Sequence, residues 1–176
     1  VSRRPLLIAL VLLVGVAAIY FLFVRDSAVA PEVSAPRAVA TIGSGAEAVA
    51  VTARGEVVPW LPLPEEPQLP QLPISEPPKN GRLAGPMLQQ AHILGAAPAA
   101  LRPYLANSYY GESGVDVETT AGIELRFGDD SQAKKKWRAA AAVLADPEIV
   151  ELDYVDLHSP GNPAYGGSGH TLPPSP

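Results

Sequence analysis

Alternation of apolar and polar positions is sharpest over residues 114–128, GVDVETTAGIELRFG, where Val115 and Val117 interleave with Asp116 and Glu118. Ile123, Leu125 and Phe127 interleave in the same way with Glu124 and Arg126. A period of two marks half-buried strands, so the stretch predicts an antiparallel pair. The two apolar sets share a face only when paired residue numbers sum to an even number. That excludes a two-residue loop at Ala121 and Gly122 and selects the three-residue loop Thr120, Ala121, Gly122, with Gly122 in the left-handed position of a bulged turn. The register then sets Asp116 opposite Arg126 on the exposed face.

The period next changes to that of a helix. In DDSQAKKKWRAAAAVLAD, residues 129–146, Ala133, Trp137, Ala140, Ala141 and Leu144 line one side. Asp129, with Gln132 three residues on, is expected to cap the start, and Asp146 with Pro147 to end it. Upstream, Leu83, Met87, Ala91 and Leu94 make a second helical stripe, predicting a short helix over about residues 85–94 with Pro86 in its first turn. A further turn is expected at PAALRPYL and a strand at NSYYGES, containing Tyr109 and Tyr110. The last strand, EIVELDYVDLHSP, alternates as Val150, Leu152, Tyr154 and then shifts phase to Val155 and Leu157. It is either buried on both faces or bulged near Tyr154. Being followed only by a Gly, Pro and Ser-rich tail over 161–176, it is expected at a sheet edge with its backbone unpaired.

Toward the N-terminus the pattern is looser. A short strand is expected at Ala38–Thr41, then a hairpin in which Val49 and Val51 turn through ARG into Glu56–Trp60. Residues 59–78 hold eight prolines, which exclude a helix or a central strand. This segment is expected to lie extended over the domain, with leucines 61, 63, 69 and 72 available for packing. Residues 5–24 carry no charge over 20 positions, enough for a helix to cross a hydrocarbon core of about 30 Å. A membrane helix is favoured there over a cleavable signal peptide, although SAVA at 27–30 has a cleavage-site pattern. Arg3 and Arg4 place residues 1–4 in the cytoplasm and the chain after residue 25 outside.

Charge narrows the partners. Three of the 13 basic residues flank the apolar run, leaving 10 against 18 acidic ones and a net charge of −8 beyond it. An acidic exterior argues against nucleic acid and anionic lipid surfaces. With no cysteine there is neither a disulfide nor a thiolate metal site. Catalytic signatures are absent as well: there is no G-x-S-x-G, no H-E-x-x-H and no phosphate loop, and only His92, His158 and His170 among histidines. His92 reads as a packed or edge residue and His170 as solvated. Asp129 and Asp130 are better explained by the helix start than as an acid-base pair. The run Lys134, Lys135, Lys136 with Arg138 reads as a solvated helix face in preference to a docking site for an acidic partner, and Trp137 as core. No catalytic residue, cofactor, metal or small-molecule substrate is expected.

The order of these elements, more than any one of them, resembles a known family. PRAVA (36–40), TARGEVV (52–58), LPQLPI (69–74), GIELRFGDDSQAKKKW (122–137), AAAAVLAD (139–146) and YVDLHSPGNPAYGG (154–167) are similar, in that order behind a membrane helix, to the bacterial cell-division proteins FtsQ and DivIB. The resemblance implies a bitopic, non-enzymatic divisome protein at the division septum of the cytoplasmic membrane. Its β domain would bind the coiled-coil pair of FtsB (or DivIC) and FtsL through the C-terminal edge strand. By position, the partner contacts would be Tyr154, Asp156, Leu157, His158, Ser159, Ala164 and Tyr165, with Tyr165 as the contact aromatic. The POTRA module that the family carries between membrane and β domain would be largely missing, since 23 residues separate Arg25 from Val49. PRAVATIGSG would be its remnant.

The expected architecture is therefore α+β: a single transmembrane helix (5–24), then a small extracytoplasmic domain with a mostly antiparallel sheet and two packed helices. A linker with the POTRA remnant spans 25–47, the β domain 48–160 and a flexible tail 161–176. A membrane-anchored cell-wall enzyme and a generic extracytoplasmic adaptor are the alternative readings.

Overall fold

The computed structural model describes residues 36–64 and 68–172. The expected membrane helix at 5–24 lies outside them; among the described residues no helix is long and apolar enough to cross a membrane.

Three short strands open the domain: β1 (Ala38–Ile42), β2 (Val49–Thr52) and β3 (Val57–Val58), paired antiparallel in that order. The segment expected to be a POTRA remnant thus supplies a strand of the domain itself, with Ala40 and Ile42 fully buried. The hairpin is shorter than its pattern suggested. It stops at Val58, and Trp60 is 74% exposed beyond it.

A five-stranded sheet follows, in the order β4 (Leu105–Gly111), β5 (Gly114–Thr119), β6 (Glu124–Gly128), β7 (Tyr154–Asp156), β8 (Ala164–Gly166). All neighbours are antiparallel except β6 and β7, which run parallel. The β5–β6 hairpin has the expected register. Asp116 faces Arg126 and Val117 faces Leu125; Thr119 N donates to Ile123 O at 2.9 Å, and Gly122 takes φ +83°. A bulge between Val115 and Asp116 shifts Val115 opposite Gly128.

The two sheets are joined by a three-residue segment, 70–72, centred on Gln71. Thr41 N donates to Pro70 O (3.0 Å) and Leu72 N to Thr41 O (2.9 Å); on the other side Ser108 N donates to Gln71 O and Gln71 N to Ala106 O, both at 3.4 Å. Gln71 is thus a rung between β1 and β4. The proline-rich stretch was expected to exclude a central strand. It does so for every position that lacks an N–H, but Pro70 and Pro73 leave the donors of Gln71 and Leu72 free to pair. Leu72 is buried beneath, while Leu61, Leu63 and Leu69 are half-buried.

Helices α1 (Gly85–Gly95) and α2 (Ala133–Leu144) cover one face. Trp137, fully buried, sits between them: its Nε1 donates to Ile93 O of α1 at 2.7 Å, and its ring lies 4.8 Å from that of Phe127. The start of α2 differs from the expected capping box. The residue before the helix, Gln132, is left-handed (φ 53°) and makes no side-chain cap. Asp129 instead accepts from Ser131 N (3.1 Å) and Ser131 Oγ (2.6 Å) and pairs with Lys136. Lys136 therefore leaves the expected surface run: it is 2% exposed.

Candidate partner-binding edge

The chain after Asp146 determines what the sheet leaves open. Leu152, Val155 and Leu157 are all fully buried, and a bend at Asp153 resolves the phase shift, so neither a doubly buried strand nor a bulge at Tyr154 is needed. Val150, first in the expected alternation, is 64% exposed.

The expected edge strand is not at the edge. On one side Glu124 N donates to Asp153 O (2.9 Å) and Leu157 N to Arg126 O (2.8 Å). On the other side β8 pairs with it, Tyr154 facing Gly166, Val155 facing Tyr165 and Asp156 facing Ala164. The segment expected as flexible tail thus forms the outermost strand. It then returns along the chain, with Leu152 N donating to His170 O (2.8 Å) and Leu172 N to Val150 O (3.0 Å). Its composition concealed this: three residues, two of them small, carry no readable alternation.

Ladder geometry fixes which backbone groups stay free. Along β7 the Asp153 C=O, the groups of Val155 and the Leu157 N–H point to β6, while the Asp153 N–H, just before the strand, turns to Gly166 O; those of Tyr154 and Asp156 point to β8, where they meet Gly166 and Ala164. Tyr165, between them, aims its N–H and C=O outward. Among the described residues no strand pairs on that side. Its side chain shares a face with Val155, so Ser108, Val117, Leu125, Val155 and Tyr165 form one transverse row on the helix side. The first four are buried, and Tyr165 is 49% exposed.

The opposite face is polar. Tyr109 Oη donates to Glu124 Oε1 at 2.5 Å, Arg126 Nη2 lies 2.6 Å from Glu124 Oε2, and the Arg126 guanidinium stacks 4.3 Å over the Tyr154 ring. The Tyr109 hydroxyl, followed by Arg126, holds the Glu124 carboxyl below its usual range. Asp116, expected on an exposed face, is only 6% exposed, and its Oδ1 has no partner. Burial, reinforced by Glu124 and opposed by Arg126 and His158, pushes its pKa up to about 6.

At the end of β7, Asp156 Oδ1 accepts from His158 N (2.9 Å) and faces His158 Nδ1 at 2.7 Å, while His158 Nε2 lies 3.1 Å from Ser113 O. Only the doubly protonated ring donates to both acceptors, so Asp156 and then Ser113 raise the His158 pKa. Burial works against the Asp156 charge, but the His158 hydrogen bonds outweigh it and keep that pKa low.

The seven expected contact residues thus separate. Ala164 and Tyr165 lie on the open strand; Tyr154 and Asp156 back it one strand in; His158 and Ser159 stand exposed in the connecting loop. Leu157 is core and presents nothing outward. His92 is exposed and pairs with Asp130 (2.6 Å), and His170, expected as solvated, binds Asp153 (3.2 Å). Among the described residues no cluster of three or more His, Asp or Glu is placed to hold a metal ion.

The structure is a small α+β module whose five-stranded sheet ends in a strand that no further described strand pairs. The description "Cell division protein FtsQ/DivIB, C-terminal" matches residues 40–158, more than half of the sequence, and the chain belongs to that family of non-enzymatic division proteins. Its role is in cell division. The match begins within β1 and ends before β8. No curated protein matches the chain closely enough to add a named relative.

Proposed function

We propose that this chain is a non-enzymatic, single-span scaffold of the division septum, and that an FtsB- or DivIC-like partner, held in a coiled coil with an FtsL-like one, adds a strand to the outer edge of β8. The observation that carries this reading is Tyr165. Its backbone donor and acceptor face outward, and its half-exposed ring continues a row of buried side chains to the rim of the sheet. An added strand would take main-chain bonds from Tyr165 and extend that row, which is how strand addition combines affinity with specificity. Ala164 and Tyr165 would make the direct contacts. Tyr154, Asp156, His158 and Ser159 would shape the surface beside them, while Leu157 holds β7 in the core. In this reading residues 5–24 anchor the chain in the bacterial cytoplasmic membrane with the domain outside, and no cofactor takes part.

The test is Tyr165→Pro in the full chain, which removes the outward N–H without removing a bond to β7. Capture of the purified coiled-coil pair should weaken by about tenfold or more, with the melting temperature nearly unchanged, and a fluorescent fusion of the variant should lose its midcell signal. Undiminished capture by a folded Tyr165→Pro variant would overturn the proposal.

A further inference from the structure

β8 is only three residues long. Through Gly166 and Ala164 it makes few bonds to β7, and a strand of that length does not hold itself in place. Besides the backbone bonds of Leu152 to His170 and of Leu172 to Val150, the chain beyond it is fastened at one side chain. Asp153 Oδ1 accepts from Gly169 N at 2.6 Å and lies 3.2 Å from His170 Nδ1, while the Asp153 backbone N donates to Gly166 O at 2.8 Å. The turn is built around that carboxylate: Gly167 has φ +96°, and a Cβ at Gly167 or Gly169 would run into Asp153. The His170 ring in turn rests on Gly122 of the β5–β6 loop, where a Cβ would come 2.5 Å from its Nε2. One carboxylate at the bend before β7 therefore ties down the exit of β8 and the first residues of its return.

The Asp153 carboxylate is itself no part of the core: its side chain is half-exposed, whereas its neighbours Leu152 and Val155 are fully buried. Gly167, Gly169 and His170 also lie past the end of the family match, at residue 158. We infer that Asp153 is a positioning residue, a clasp that presets the edge strand β8 in paired form so that an incoming strand meets a finished template. Without the clasp, β8 would pair and unpair from β7, and any ligand of its outer edge would first have to order it.

Amide exchange in the full chain tests this without any partner. In Asp153→Ala, the Gly166 and Ala164 amides should exchange roughly tenfold faster, while Val117 and Leu125 keep their protection. Asp153→Asn, which retains an oxygen acceptor at the same place, should restore most of the protection. Gly169→Ala, which attacks the clasp from its other side, should reproduce the Asp153→Ala pattern. Uniform acceleration, with Val117 and Leu125 loosened equally, would reduce Asp153 to general stability and overturn the inference, as would unchanged exchange at Gly166. A second readout rests on the partner reading above: association with the coiled-coil pair should slow about tenfold in Asp153→Ala with dissociation little altered. If exchange responds and association does not, the clasp stands and the partner reading fails.

Discussion

Lys136 Nζ lies 2.6 Å from Asp129 Oδ1 and also donates to Phe127 O (2.8 Å) and Asp129 O (3.0 Å), so one buried ammonium closes the loop between β6 and α2. Lys136→Met keeps the aliphatic stem but strands three acceptors. It should cost roughly 2–4 kcal/mol in urea unfolding, the range for losing a buried charge-assisted cluster. The Lys136 bond, followed by Ser131, holds the Asp129 pKa at about 2. This lowered value contributes stability that is present above the unfolded carboxyl pKa and lost as pH falls through the folded one. A Lys136→Met midpoint equal to wild type would show that the loop closes without the amine.

Asp116 sets the opposite pH trend. Its folded pKa of about 6 lies above the unfolded value of about 3.9, so the folded state binds the proton more tightly. The cost of its charge is full above pH 6 and vanishes as pH falls below the unfolded value. The groups facing it are Glu124, Arg126, His158 and Asp156. His158, raised by Asp156, acts in the same sense: its contribution is present below its unfolded pKa and is lost as pH rises through the folded one. The domain should therefore gain on the order of 1 kcal/mol between pH 7 and pH 5. Urea midpoints across that range should rise for wild type and flatten for Asp116→Asn; an equal slope in the variant would remove Asp116 as the source.

Trp137 gives a core prediction with its own optical signal. Trp137→Phe deletes the bond to Ile93 O, which still accepts from Ala96 N, so the loss should be only about 1–2 kcal/mol. Trp137→Ala opens a cavity between α1, α2 and Phe127 and should cost about 3–5 kcal/mol. Because Trp60 is 74% exposed, blue-shifted emission from the native protein belongs to Trp137. It should disappear in either variant, and its persistence would contradict the packing.

What the sequence disclosed depended on how local the governing physics is. The β5–β6 hairpin was legible to the register, because alternation on both arms and one glycine leave a single solution. Trp137 as core was legible for the same reason, from its place on the α2 stripe. Gln71 was not, because its role as a rung depends on which strands lie on either side of it. Asp129 looked like a cap, since the sequence does not show that Lys136, seven residues on in the chain, turns inward and takes the same carboxylate. The edge strand was misplaced by one position in the sheet: a strand of three residues with a glycine and an alanine gives no pattern, while the longer apolar run before it invited the assignment.

That displacement yields the sharpest contrast between two proline substitutions eight residues apart. If β7 were the open edge that the sequence suggests, a proline at Leu157 would weaken partner capture while leaving the domain folded. The structure reverses this: Leu157 is fully buried and its N–H donates to Arg126 O, so proline there breaks the β6–β7 ladder and removes a core side chain together. Leu157→Pro should lose more than about 4 kcal/mol and with it cooperative unfolding. At Tyr165 the N–H has no partner within the sheet, and proline is tolerated where an edge strand faces outward. Circular dichroism melts should separate the two, with Tyr165→Pro near wild type and Leu157→Pro collapsed. Equal damage from both would mean that β8 is structural and its outer edge is not free; equal tolerance would mean that β7 is the true border of the sheet.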